Sequence, residues 1–241
     1  MRLLDHSFDA PELNLALDEA MLDAVERGNT ASTLRFWESP TLFAVLGTGQ
    51  KWSEEVDREV CERNGVPIRR RCSAGGCVLQ GVGCLNYALA LTHDEYPQVK
   101  ELRPSYCFIL GRICSALHKA GVKAEHAGIS DIAVDGFKIS GTAQKRKRNS
   151  ILHHGTLLYA FDAAAMDTYL KHPQAQPDYR VDRSHADFVR QLPLNGDELR
   201  ALICGAFDVN GPATDPTGAE LDHARTLAAE KYATDAWTFR R

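Results

Sequence analysis

The stretch SDIAVDGFKISGTAQ, Ser130 to Gln144, constrains the fold more than any other part of the chain. Asp135-Gly136 is a two-residue hairpin signal, because the tight turn that matches strand twist needs positive φ at both central positions. With that turn, Val134 pairs with Phe137, Ala133 with Lys138, Ile132 with Ile139 and Asp131 with Ser140. Side chains alternate across a strand. One face then carries Ile132, Val134, Phe137 and Ile139 and reads as core. The other gathers Asp131, Lys138 and Ser140 around the small Ala133. Two readings of that second face stay open. It is the wet side of a one-sided sheet, or it is a cavity wall where Ala133 leaves room for a ligand and Lys138 reaches into it. Gly141, directly after Ser140, permits close backbone approach.

The second informative stretch is RRRCSAGGCVLQGVGCLNYALAL, Arg69 to Leu91. Successive backbone N–H groups in a glycine-rich turn form a concave anion site. Arginine adds a permanently charged fork suited to phosphate or carboxylate. Arg70 or Arg71 beside Ser73-Ala74-Gly75-Gly76 therefore points to an anion. The alternative is a tight turn with solvent-facing arginines. The P-loop pattern is missing, and GTGQKW at 47–52 is too short for a dinucleotide fingerprint.

Around these stretches the periodicity predicts an N-terminal helix from Asp9 as cap, through Pro11, to a stop at Gly28. Strands are predicted at TLRFWES, TLFAVLG, VPIRRR and CLNYALAL. A short helix is predicted from Ser53 to Asn64 and a long one between Pro104 and Gly121. The region from Asp131 to Phe161 reads as β-rich, and three helices follow. Regular βαβ alternation is missing. The prediction is one α+β domain spanning 1–241, with a mixed, largely antiparallel sheet flanked by helices. Hydrophobic residues make up 44% of the 241, enough for a core without disulfides. A net charge of −4 argues against bulk nucleic acid as partner. The seven cysteines are odd in number and none are spaced for zinc, which predicts reduced thiols and no metal site. No stretch has signal-peptide or membrane-spanning character. A cytoplasmic protein with no membrane partner is expected.

Taken in order, the motifs are R-R-C-S-A-G-G-C-V at 70–78, L-N-Y at 85–87, the Asp131–Gln144 hairpin and H-H-G-T-L-L at 153–158. EKYATDAWTFRR closes the sequence. In this order they resemble the lipoate–protein ligase A family, part of the biotin/lipoate ligase and octanoyltransferase superfamily. The resemblance implies a catalytic domain related to class II aminoacyl-tRNA synthetases and biotin ligases. It implies ATP, Mg²⁺ and lipoate as ligands. Arg71 and Gly76-Cys77-Val78-Leu79 would contact an acyl-adenylate, and Lys138 would sit beside the activated carboxyl and α-phosphate. Ser73, Gly75, Asn86, Asp131, Ser140, Gly141, His154 and Thr156 complete the expected binding set. The implied partner is a lipoyl-domain acceptor, such as a 2-oxoacid dehydrogenase E2 or the glycine cleavage H protein. Family ligases often carry a further small C-terminal domain, which is not expected here, so a separate accessory subunit enters the expectation.

Three functions follow. The first is an ATP-dependent ligase. The second is a cysteine-dependent octanoyltransferase from acyl-carrier protein. Against it, VKAEHAGIS, upstream of the lysine hairpin, contains no cysteine, although Cys72, Cys77 and Cys84 lie near the glycine turn. The third is a non-catalytic lipoyl-binding protein. Many ligases have His-Asp where this chain has Gln80-Gly81. His153 and His154 are neighbours on a strand and face opposite ways, so one is predicted buried, and His154 shares its side with Thr156. Lys145–Arg148 reads as a solvated hairpin tip or as a docking site for an acidic acceptor domain.

Overall fold

Residues Cys84–Thr92 carry Leu85, Tyr87, Leu89 and Leu91 on one face and Asn86, Ala88 and Ala90 on the other, and all of these are buried. A strand buried on both faces needs helices on both sides, and this one has them. The computed structural model describes residues 1–241. Its strands in chain order are β1 (Arg2–Asp5), β2 (Thr33–Trp37), β3 (Phe43–Leu46), β4 (Ile68–Arg70), β5 (Val78–Gln80), β6 (Cys84–Thr92), β7 (Ala124–Ala127), β8 (Asp131–Val134), β9 (Phe137–Arg146) and β10 (Ser150–Leu158). The large sheet has seven strands in the order β1-β2-β6-β10-β9-β8-β7, and β4-β3-β5 form a small second sheet. Within the large sheet only β1 and β2 run parallel. This is the mixed, mainly antiparallel α+β architecture expected from the sequence.

The helices are α1 (Pro11–Glu26), α2 (Trp52–Glu55), α3 (Arg58–Arg63), α4 (Leu102–Lys119), α5 (Ala164–Tyr169), α6 (His185–Phe188), α7 (Gly196–Ala206), α8 (Gly218–Leu227) and α9 (Asp235–Thr238). Helices α4 and α7 cover the Leu85–Leu91 face with Ile109, Ile113, Leu117 and Ile203. Helix α1 covers the Ala88–Ala90 face with Leu15, Met21 and Leu22, backed by α8. Each such aliphatic side chain contributes roughly 1.5–3 kcal/mol when fully buried. No helix is long and apolar enough to cross a membrane.

Several local expectations need correction. Helix α1 starts after Ala10, with Pro11 at its first position and no side-chain cap, so Asp9 is not the cap. The helix expected over 53–64 is split, because Val56 is extended and Asp57 caps a new helix by accepting from Val60 N at 3.0 Å. The chain leaving the glycine turn first forms β5 in the small sheet and only then β6. The Lys145–Arg148 run is largely tied down. Lys147 pairs with Asp23, Arg146 donates to the carbonyls of Val99 and Lys100, and only Arg148 is exposed.

The hairpin correction matters most. Asp135 and Gly136 have φ of 49° and 75°, as the turn requires. Val134 pairs with Phe137 and Ala133 with Lys138, but the next pairs are Ile132 with Ser140 and Asp131 with Gly141. The strand bulges by one residue, Ile139, which stays in the core with Ile132. Ser140 is buried too, its hydroxyl without a hydrogen-bond partner. Phe137 is half-buried, under the Arg190 guanidinium at 4.0 Å.

Candidate active site

The bulge brings Gly141 opposite Asp131. Following the pairing outward, Gly141 faces Thr156, Thr156 faces Asn86, and Asn86 faces Trp37. One transverse row thus runs Asp131–Gly141–Thr156–Asn86–Trp37 across five strands. At ~4.8 Å between strands, its ends lie ~19 Å apart. These five residues all line one pocket on the α1 side of the sheet. The next row on that face is Ala143–His154–Ala88–Arg35. Its alanines keep the floor low. The glycine turn descends onto it, with a Cβ at Gly75 falling 3.5 Å from Ala143 Cβ. Gly76, Cys77 and Val78 form the facing wall.

At one end stands Lys138. Its ammonium meets Asp131 Oδ1 at 2.8 Å, with the lysine side chain 27% exposed. To get there it crosses Gly141, where a Cβ would come within 2.9 Å of Lys138 Cε and Nζ. A glycine at 141 keeps that path open. Lys138 and Gly76 line the same cavity, so the two stretches that stood out in the sequence meet in space.

The middle is a closed ring of hydrogen bonds. Gln80 Nε2 donates to Thr156 Oγ1 at 2.7 Å, Thr156 Oγ1 donates to Asn86 Oδ1 at 2.8 Å, and Asn86 Nδ2 donates to Gln80 Oε1 at 3.0 Å. Gln80 thus stands in the wall where many ligases have a histidine.

The other end is built on α1 and β2. His154 Nδ1 lies 3.2 Å from Asp18 Oδ2 and Nε2 lies 2.6 Å from Ser73 Oγ. A carboxylate only accepts, so Nδ1 carries a proton toward Asp18, while Nε2 and the Ser73 hydroxyl share the second hydrogen bond. Asp18 Oδ1 accepts from Arg35 Nη1 at 2.6 Å, and Arg35 is fully buried. With both ring nitrogens engaged, His154 has none left to act as a free base. Trp37 also lines this end, and its buried indole N–H has no partner. His153, as predicted, points the other way. It is buried beside Tyr106, and burial pushes its pKa down to about 3.

The arginines do more internal work than their sequence pattern suggested. Arg70 is buried. Its Nε donates to Thr238 O at 2.9 Å and its Nη1 to Gly47 O at 2.7 Å, while Trp237 Nε1 donates back to Arg70 O at 2.7 Å. Arg71 lines the pocket, yet it donates to Ser73 Oγ and to the carbonyls of Val45, Ala74 and Gly76. Arg71 therefore staples the glycine turn, and burial lowers its pKa. Every acceptor it reaches is neutral, so its charge still favours an anion in the pocket.

Four other expected site residues lie off the pocket surface. Ser140 and Leu79 are in the core, Ser73 sits behind His154, and Gly75 is held against the Arg71 guanidinium and Ala143. The lining residues absent from the expected binding set are Leu15, Asp18, Trp37, Val45, Gln80, Ser130, Thr142, Ala143 and Gly155. A signal for Asp18 was present. Asn14 and Asp18 are polar residues four apart inside an apolar helical stripe, and Arg35 interrupts the apolar strand TLRFW.

None of the three cysteines near the turn is an activated thiol. Cys77 is in the pocket wall, and Cys72 and Cys84 are buried. Burial pushes each up to about 12. A nucleophilic cysteine needs the opposite shift.

A family model for the lipoyl protein ligase A/B catalytic domain matches residues 10–199. The chain belongs to this family. Among the relatives of this lipoyl protein ligase A/B member, the octanoyltransferase LipM of Geobacillus kaustophilus is 28% identical, covering 100% of this chain and 98% of its own length. The lipoate-protein ligase LplJ of Bacillus subtilis is 32% identical, covering 98% of this chain and 72% of its own length. The crystal structure of a lipoate-protein ligase A bound with ATP superposes with a TM-score of 0.85 at 23% identity, covering 99% of this chain and 98% of that one. The expected fold is thereby established. The relatives are lipoate ligases and octanoyltransferases, and the chain is an enzyme of their family.

Proposed function

We propose that this enzyme activates lipoate with ATP and transfers the lipoyl group to a lysine of a lipoyl-domain acceptor, a 2-oxoacid dehydrogenase E2 or glycine cleavage H protein. The observation that carries this reading is that the Lys138 ammonium and the Arg71–Gly76 turn line one pocket, whose single lining cysteine, Cys77, has its thiol pKa pushed up by burial. In the first step a carboxylate oxygen attacks the α-phosphorus, the bond to the β-phosphate breaks and pyrophosphate leaves. Lys138 and the charge of Arg71 favour the negative charge that gathers on the phosphoryl oxygens. In the second step the acceptor amine attacks the carbonyl, AMP leaves and the amine proton goes to solvent. Lys138 exchanges Asp131 for the developing oxyanion.

No grouping of three His, Cys, Asp or Glu residues is placed to hold a metal. A Mg²⁺ ion brought with ATP needs only the phosphates and one or two carboxylates, and Asp131 is the carboxylate at hand. The acyl tail runs along the row toward Trp37, whose unpartnered N–H suits the weak acceptor sulfurs of a lipoyl ring better than the hydrocarbon end of octanoyl.

The resemblance to LipM supports a second reading, transfer of octanoyl from a carrier thioester through Cys77. Lipoate, ATP and an apo lipoyl domain, followed by pyrophosphate release and acceptor mass, separate the two. The expected result is an ATP-dependent mass gain with pyrophosphate. Transfer from octanoyl-acyl-carrier protein without ATP, abolished in Cys77→Ser, would replace the first reading with the second. Inactivity of the chain with both donors would count against both readings for the chain acting without an accessory subunit.

A further inference from the structure

We propose that Tyr179 is a positioning residue for Lys138, acting through Asp131; the proposal rests on the role given to Lys138 above. The two oxygens of Asp131 have different partners, an ion pair on one and a hydrogen bond on the other. Lys138 Nζ is on Oδ1 at 2.8 Å and the Tyr179 hydroxyl donates to Oδ2 at 2.9 Å. A carboxylate with a single donor is free to turn about its last bond and present either oxygen. The phenol removes that freedom and fixes where Oδ1 points. It also draws charge from the carboxylate, so Asp131 aims the ammonium without holding it as strongly as an undivided anion would.

The phenol is itself held by a segment built to clasp the hairpin. Arg183 Nη2 donates to Gly136 O at the hairpin turn and to Tyr179 O, at 2.8 and 2.7 Å. Arg190 N donates to Lys138 O at 2.8 Å. The Tyr179 ring packs on Phe188 with centroids 5.1 Å apart. Gly128 lets the segment come close, since a Cβ there would sit 3.4 Å from Pro177 Cβ. The clasp therefore holds the backbone of Lys138 and orients its counter-ion. Burial and the neighbouring Asp131 raise the pKa of the Tyr179 phenol, which stays protonated and donating through the neutral range.

The test bypasses activation by supplying synthetic lipoyl-adenylate and an apo lipoyl domain to the full chain. Tyr179→Phe keeps the ring packing and removes only the donor. It is expected to lower kcat about tenfold while KM for the adenylate stays within about twofold. In an Asp131→Asn background the same substitution is expected to have no further effect, because the path through Asp131 is already cut. An unchanged kcat, or an equal loss in both backgrounds, would overturn the proposal. So would a loss accompanied by a matching fall in melting temperature, which marks a structural role. Lys138→Ala is the separate control. If it retains full transfer, the reading of Lys138 fails, whatever Tyr179 does.

Discussion

Two carboxylate–cation pairs occupy the two ends of the pocket, and their differences divide the labour. Asp18–Arg35 is wholly buried, and Arg35 also donates to His6 O, Asn14 O and Asn14 Oδ1. Asp131–Lys138 is part-exposed, and the lysine has one acceptor at the end of a flexible stem. A planar guanidinium with all its directions taken holds α1, β2 and, through His154, the glycine turn in register. An ammonium with a single partner is free to trade it for a substrate oxygen. The fixed pair shapes the cavity and the mobile pair is available for chemistry.

The largest expected effect tests the fixed pair. Asp18→Asn leaves Arg35 charged, buried and short of its counter-ion, and is expected to cost about 3–5 kcal/mol, read as a lower urea midpoint at unchanged slope. A loss below about 1 kcal/mol would mean the pair behaves like a surface bridge, and the contrast would collapse. Next comes the mobile pair. Lys138→Ala is expected to slow transfer by roughly 10²–10³, with stability changed by no more than about 0.5 kcal/mol. Destabilisation comparable to Asp18→Asn would make Lys138 a structural residue as well.

Gly141→Ala sharpens the point further. The added methyl crowds the flexible end of Lys138 and meets Asp131 Oδ1 only at ordinary contact distance, so the fold accepts it and the ammonium moves aside. Transfer is expected to fall by roughly 10- to 10²-fold at constant melting temperature. The smallest effect is expected for Cys77→Ser, with transfer within about twofold of the parent, as its raised thiol pKa makes it a poor nucleophile. Abolished activity there would move the chemistry away from Lys138 and into the wall.

The parts of the site written in local grammar were readable in advance. Asp135-Gly136 announced its turn, the split between His153 and His154 followed from alternation, and the ordered motifs carried the family. What escaped reading depends on contacts between distant segments. Nothing local in SDIAVDGFKIS signals that Ile139 will be the extra residue of a bulge, since the choice is made by packing against Ile132. Tyr179 lies 48 positions from Asp131, and no motif near it in sequence ties it to the hairpin. Arg71 looked like an anion ligand because the sequence shows its charge but not the carbonyls of Val45, Ala74 and Gly76 that surround it.

The fastening of Arg70 to Trp237 and Thr238 has a consequence for biogenesis. It joins residues 167 and 168 positions apart, so the strand leading into the glycine turn lacks its final brace until those residues are made. A ribosome-bound chain stalled before residue 237 would hold an almost complete sheet and an unfinished mouth. The mouth that grips the ligand is complete only once Trp237 and Thr238 have been made and have reached Arg70.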